Sequence, residues 1–327
     1  MNNIPPRLQV SPESISVQNL EKYAEGWIIS CQISQHSERT LGNRRMVVEK
    51  LLWYFRQKKI QDCGVNELRL FLAYLSTGHK EPGGRWGNPQ LTDTVKSRTV
   101  KDYHATLRTL FNWIVGEGAL TTSPMERIPV PVDRPDAIEP FTDDQVKALL
   151  EASKKTRQPR RDEAMLLFLL DSGCRASELC DLNLNQVDMS AKKATVEGKG
   201  GKSRPVYFGR TTARALWQYL REDDRGPTDP LFQSHRGERM TRNGLHQLIE
   251  RIGNAAGIET VRCSPHTFRH TFAITFLRSG GNQFTLMQLL GHTHLAMTAR
   301  YVHLAQADVE NQHRQYSPVD RLKGKGK

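Results

Sequence analysis

Ser264-Pro265-His266-Thr267-Phe268-Arg269-His270-Thr271-Phe272 packs a helix start and three basic side chains into nine residues. Serine followed by proline is an N-cap and first-turn pair, so the spacing predicts a helix opening at Pro265. His266 and Arg269 lie three apart and share one face of it. His266 and His270 have the HxxxH spacing of a metal pair, but Thr267 stands where a zinc hydrolase of that pattern needs its glutamate. His292 and His294 do not repair the motif, so no metal is expected. What remains is a set of cationic and imidazole donors suited to a phosphate.

Outward toward the C-terminus, Gln283 to Leu290 reads as a helix closed by Gly291 as a left-handed cap. His292 follows directly, and Tyr301 stands nine residues on, inside the next helical run. Alone this pairing is weak, because most tyrosines are packing residues. Outward the other way, the apolar run Ala164 to Leu170 predicts a buried helix ending at Asp171-Ser172-Gly173-Cys174-Arg175-Ala176-Ser177-Glu178-Leu179. The glycine permits a sharp turn. Arg175 beyond it either pairs with Glu178 or holds its planar fork ready for a phosphate.

Val187 to Met189, Ala194 to Glu197 and Ser203 to Phe208 look like short strands around Gly198-Lys199-Gly200-Gly201-Lys202. A Walker A reading fails, since Val196 occupies the position of its first glycine and no strand-to-long-helix transition follows. A hairpin tip carrying Lys199 and Lys202 is left, either solvated or placed beside a phosphate. Helices are expected from Thr142 to Ala152, with a Thr142/Gln145 capping box, from Ala213 to Leu220 and from Asn243 to Ala255, just after Arg242. Ser153 to Arg161 holds five positive charges, among them Lys154, Lys155 and Arg157, and reads as a solvated loop able to grip phosphates.

Arg127 to Pro140 contains four prolines and no apolar period, which marks a linker, with the boundary near residue 135. Before it, Leu20 to Cys31, Leu41 to Phe55, Leu68 to Leu75 and Tyr103 to Ile114 show apolar residues at helical spacing, a small helical bundle. Gly78 to Leu91, rich in glycine and proline, reads as a long loop. The polar faces are basic: Arg39, Arg44, Arg45, Lys50, Lys96, Arg98, Lys101 and Arg108. Solvated helices also carry lysines, but the excess fits a module lying along a phosphate backbone.

The 327 residues carry a formal net charge of +12, which points to a polyanionic partner, most simply nucleic acid. Five cysteines without a CxxC pair argue against a disulfide framework or zinc ribbon and suit a reducing compartment. No apolar run approaches the roughly 20 residues of a membrane span, and no signal-peptide core opens the chain. A soluble, cytoplasmic protein associated with the nucleoid is therefore expected.

Taken in order, SGCRASEL with Arg175, the EGKGGK hairpin with Lys199, SPHTFRHTFA, LLGH and the downstream Tyr301 resemble the signature of tyrosine site-specific recombinases, closest to compact Xer-type enzymes and simple integrases. The resemblance spans roughly 140 to 310 and, more loosely, the helical core-binding module before it. It implies a mainly α fold: an N-terminal helical bundle and a C-terminal α+β catalytic domain with a small antiparallel sheet. The division expected is a flexible 1–16, a DNA-binding bundle 17–127, a linker 128–140, a catalytic domain 141–316 and a basic tail 317–327.

The resemblance also implies the chemistry. Tyr301 would attack the scissile phosphodiester and form a 3′-phosphotyrosine, with His266 at the position of the base and Lys199 at that of the general acid. Arg175, Arg269 and His292 would stabilise the phosphorane, and Glu178 would brace Arg175. Neither cofactor nor metal is implied. The partners would be double-stranded recombination sites, bound by a tetramer whose C-terminal segments are exchanged between protomers, with a possible accessory or partner recombinase and passage through a Holliday junction. For DNA contacts the candidates are Arg44, Arg45, Lys96, Arg98, Lys101, Lys154, Lys155, Arg157, Lys202 and Arg242. The rivals are a type IB topoisomerase and an inactive DNA-binding relative. Cys174 replaces the aliphatic residue common in relatives, and a buried cysteine serves the same packing role.

Overall fold

Six helix starts among the described residues are set by a serine, threonine or asparagine cap, and each fixes where a helix begins. A computed structural model describes residues 13–79, 83–133, 139–198, 201–221 and 224–305, together with 313 and 317–319. The chain divides into two compact units, Met1–Asp136 and Ala137–Lys327.

In the first unit a two-residue strand β1 (Ile15–Ser16) pairs antiparallel with β2 (Asp62–Cys63), an element no periodicity announces. The flexible start expected over 1–16 is thus corrected at its end. Ile15 is buried, and the Ser16 side chain accepts from the Asn19 amide to begin α1 (Val17–Ile33). Ser37 caps α2 (Glu38–Lys58) in the same way. With α3 (Val65–Ser76) and α4 (Ser97–Gly116) they bury one core that includes Leu20, Leu51, Phe55, Phe71, Leu107 and Phe111.

Two stretches expected to be loose are tied to this core. In the 78–91 loop a 3₁₀ turn at Arg85–Gly87 sets Trp86 edge-on to Trp53, ring centroids 5.5 Å apart, and beside Phe71 and Tyr74. The proline-rich stretch is not detached at its start either. Ile128 is buried, its carbonyl lies 3.1 Å from His104 Nε2, and Asp133 takes an ion pair from Arg98 at 2.9 Å. Prolines remove amide donors, but they leave side chains and carbonyls available for packing.

In the second unit Thr142 and Gln145 form the capping box that opens α5 (Asp143–Ser153). α6 (Pro159–Ser172) starts earlier than the apolar run suggests, so the solvated loop expected to Arg161 ends at Gln158. Arg161 is buried, bonded to Asp162 at 2.7 Å and to the Gln233 carbonyl at 2.9 Å. α7 (Ala176–Asp181) leads to an antiparallel sheet of β3 (Val187–Asp188), β4 (Lys193–Glu197) and β5 (Ser203–Tyr207) in that order. α8 (Arg210–Leu220), α9 (Arg242–Ala255), α10 (Pro265–Arg278), α11 (Gln283–Leu290) and α12 (Ala296–Ala305) complete it.

α10 packs on α6 and on α12, so it separates two apolar clusters. The smaller is built from Ala273, Ile274, Leu277, Leu286, Leu290, Tyr301 and Ala305. The architecture is mainly α with one small antiparallel sheet. Among the described residues no helix is long and apolar enough to cross a membrane.

Candidate active site

Two left-handed glycines bring the polar side chains together. Gly173, at φ 59°, caps α6, and a Cβ there would sit 2.3 Å from the Phe272 ring. Gly291, at φ 63°, caps α11, and a Cβ there would meet the Arg204 side chain at 2.9 Å. Only glycine adopts that backbone freely and fits both places. Each turn exposes carbonyls that the site uses.

Arg269, on α10, is 4% exposed. Its guanidinium donates to the Gly173 carbonyl at 2.8 Å and to the Leu290 carbonyl at 2.7 Å, and it lies 3.0 Å from His292 Nε2. Among the described residues it makes no ion pair. Burial, then the neighbouring Arg175, lowers its pKa to about 10, so it stays charged at neutral pH. A buried guanidinium met only by neutral acceptors is a receptor for an anion.

Arg175 stands at the start of α7. Its Nη1 donates to Glu178 Oε1 and its own amide to Glu178 Oε2, both at 2.7 Å, while Nη2 reaches the Gly291 carbonyl at 3.3 Å. Arg204, on β5, grips the same carboxylate with two bonds of 2.8 and 2.9 Å and donates to the Leu289 carbonyl at 3.0 Å. Glu178 is 1% exposed. Burial pushes its carboxyl up, but bonds from Arg204 and Arg175 outweigh this and hold it below the usual carboxylate range. It therefore carries two arginines. The thiol of Cys174 next door, pushed up to about 12 by burial, is no nucleophile.

His292 is buried between Arg269 and Thr298, whose Oγ1 lies 2.8 Å from Nδ1. Arginine can only donate, so Nε2 accepts and Nδ1 carries the proton toward Thr298. Burial, then Arg269 and Arg175, lowers its pKa to about 4. To donate from Nε2 to an oxyanion it must release Arg269 and carry a proton there, either as the imidazolium, which the negative charge of a phosphate favours, or as the other neutral tautomer with Nδ1 accepting from Thr298.

Tyr301, on α12, is fully buried. Its ring lies parallel to that of His292, centroids 6.3 Å apart, and its hydroxyl is 2.8 Å from His270 Nδ1 and 3.4 Å from Arg300 Nη2. His266 is exposed, with its ring 6.2 Å from that of His270. The histidine in reach of the phenol is thus His270, not the one expected as base. Its signal, the HxxxH spacing, was legible only as a metal pattern, and no cluster of three or more metal-ligating side chains exists among the described residues. Arg204, Thr298 and Arg300 likewise carried no sequence signal. Lys199 lies outside the described residues; the strands leading to it are closed by a bond from the Gly198 amide to the Lys202 carbonyl at 2.8 Å.

The candidate DNA contacts divide. Arg44 is turned inward, stacked over Trp27 at 4.8 Å and bonded to Cys31 Sγ. Arg98 and Lys101 face Asp133, and Lys154 faces Glu151. Arg45, Lys96, Lys155, Arg157, Lys202 and Arg242 are exposed.

Residues 139–308 match the phage integrase family. The sequence is 34% identical over 232 residues to the tyrosine recombinase XerC of Roseiflexus castenholzii, covering 68% of this chain and 73% of that one. It is 34% identical over 237 residues to the tyrosine recombinase XerD of Pseudomonas aeruginosa, covering 70% and 78%. In fold it is similar to the Tn1549 transposon integrase in complex with circular intermediate DNA, with a TM-score of 0.68 at 18% identity over 91% of this chain and 99% of that one. The chain therefore belongs to the phage integrase family, and it is a tyrosine site-specific recombinase.

Proposed function

We propose that this enzyme cleaves one strand of a DNA site through Tyr301 and rejoins it to a strand of a second site. The observation that carries this reading is the buried Arg269, fixed by two carbonyls and His292 within the cluster that contains Tyr301. The scissile phosphate would settle between Arg269 and Arg175. Tyr301 Oη bonds to phosphorus as its phenolic proton passes to a neighbouring histidine, the P–O5′ bond breaks, and the departing 5′ oxygen takes a proton from Lys199. The phosphate remains on the tyrosine through its 3′ side. Attack by the 5′-hydroxyl of the partner strand reverses these steps on the new duplex and generates a Holliday junction.

Each non-bridging oxygen gains charge in the transition state, where a preorganised donor contributes on the order of 3 kcal/mol. Arg175 and Arg269 are such donors, and His292 joins them once protonated. Because the phosphotyrosine preserves a phosphodiester-like bond, rejoining draws on no nucleotide. Two sites with two cleaved strands each call for four protomers, and the segment beyond Ala305 is the natural connector between neighbours. The exposed Arg45, Lys96, Lys155, Arg157, Lys202 and Arg242 would run along the DNA backbone, a soluble cytoplasmic setting suits the substrate, and a partner recombinase would complete some assemblies.

The test uses a duplex bearing the site that this protein selects from random-sequence DNA. Wild type should form a covalent complex that survives denaturing electrophoresis. Tyr301→Phe should bind the same duplex with unchanged affinity and form none. A persistent covalent band with Tyr301→Phe would move the nucleophile elsewhere, and relaxation of any plasmid without strand exchange would favour topoisomerase chemistry.

A further inference from the structure

Three successive carbonyls at the end of α11 each accept from a different arginine. Leu289 takes Arg204 Nε at 3.0 Å, Leu290 takes Arg269 Nη2 at 2.7 Å, and Gly291 takes Arg175 Nη2 at 3.3 Å. A helix leaves its last carbonyls unsatisfied, so three guanidinium groups converge on this turn. Arg269 and Arg175 flank the place proposed for the scissile phosphate, and Arg204 is the third.

Arg204 stands opposite Val196 in the β4–β5 ladder, and the period of the strand turns it inward with Val206. Its fork meets both oxygens of Glu178, Nη1 to Oε1 at 2.8 Å and Nη2 to Oε2 at 2.9 Å. The Arg175 side chain reaches only one of those oxygens, at 2.7 Å. The side chains are 13% exposed for Arg204, 32% for Arg175 and 1% for Glu178. The buried fork-to-fork pair is thus Glu178 with Arg204, and Arg175 sits at its rim.

This division of partners decides how much charge Arg175 can offer. A guanidinium paired bidentately with its own carboxylate is neutralised and has fewer N–H groups left to give. Here two guanidinium groups share one carboxylate, and with Arg269 the cluster holds three positive charges against one negative. The surplus suits a transition state in which the single charge of a phosphodiester grows toward about two as the phenolic oxygen adds.

We propose that Arg204 is a positioning residue for strand cleavage: it occupies the Glu178 carboxylate and so keeps Arg175 charged and open toward the scissile phosphate. The proposal rests on Arg175 being a phosphate contact. Arg204 itself touches no reacting atom. Without it, Glu178 takes the whole Arg175 fork, turns it from the phosphate and cancels its charge.

The experiment measures the single-turnover rate of covalent-complex formation on the selected duplex, at saturating protein and well below the melting temperature of each full-length variant. Losing one preorganised donor costs about 10²–10³ in rate, and Arg204→Met should approach the lower figure with duplex affinity nearly unchanged. Arg204→Lys, which keeps a charge but not the fork, should recover part of the loss. Glu178→Gln added to Arg204→Met removes the carboxylate that captures Arg175 and should recover most of it. Placed in Arg175→Ala, Arg204→Met should slow the reaction little further, because its effect runs through Arg175. A methylphosphonate at the scissile position carries no charge, so the loss in Arg204→Met should shrink on that duplex.

An undiminished loss in the double variant with Glu178→Gln, an undiminished loss on the methylphosphonate, or full additivity with Arg175→Ala would overturn the proposal. So would rescue of Arg204→Met by a 5′-bridging phosphorothiolate, which would place its role at the Lys199 hairpin. Should Arg204→Met fail to fold, Arg204→Lys with and without Glu178→Gln makes the same comparison. A wild-type rate in Arg175→Ala would instead overturn the phosphate contact of Arg175, an outcome separate from the others.

Discussion

Glu178 is the residue on which the arginine cluster depends, because one buried carboxylate holds both Arg175 and Arg204. Removing one partner of a buried ionic network strands the others, at a cost of about 3–5 kcal/mol. Glu178→Ala should lower the unfolding free energy by that amount, read as an earlier denaturant midpoint, and Glu178→Gln, which keeps the shape, by less. Two histidines set an acid limit. His270 and His292 have folded pKa values near 4, against an ordinary value of 6.5, through burial and their arginine neighbours. Between those values the unfolded chain binds more protons than the folded one, so stability falls as pH drops from about 6.5 toward 4. Melting curves across that window should show the decline, and His292→Asn should flatten it. Neither residue's partner could be read from the chain. His270 meets Tyr301 across 31 positions and Glu178 meets Arg204 across 26, and no local pattern encodes such a distance.

At the level of elements, caps and periodicity translate directly. Thr142, Ser264 and Gly291 each end or start a helix where the sequence places them, because a side-chain oxygen or a missing Cβ acts within one turn. The ribbon of β1 and β2 was not legible, since two residues are too few for any alternation. Trp86 was hidden by its glycine-rich surroundings. The two cap glycines should respond differently to alanine. Gly291→Ala incurs the left-handed penalty, about 1–2 kcal/mol, and presses only on the flexible Arg204 side chain. Gly173→Ala meets the Phe272 ring as well and should lower the melting temperature further. Thermal melts of the two variants check that order, and weaker DNA cleavage in Gly291→Ala would report the displaced Arg204.

For the whole molecule, the charge and the family lead to the same measurement. A chain with net charge +12 that neutralises 6–10 phosphates should lose about 10³–10⁵ in affinity between 50 and 200 mM salt. Filter binding across that range gives the slope. Replacing exposed Arg157 or Arg242 should reduce it by about one contact each, whereas Arg44, stacked on Trp27, should leave it nearly unchanged and lower stability instead. The two-unit plan, the mainly α class and the grouping of Arg175, Arg269, His292 and Tyr301 were legible because they rest on composition, period and motif. Which histidine lies within hydrogen-bond reach of the tyrosine was not, because His266 and His270 differ only in what α12 brings against them.

The proposed nucleophile is also a core residue: Tyr301 shares a cluster with Ile274, Leu277, Leu286 and Leu290 and has no accessible surface. A phosphorus atom cannot approach an oxygen that solvent cannot touch, so part of this covering has to move before bond formation. That makes local opening around α12 a clock for the reaction. The amide exchange rates of α12 then set a ceiling on the rate of strand cleavage, and substitutions that tighten the cluster should slow both together.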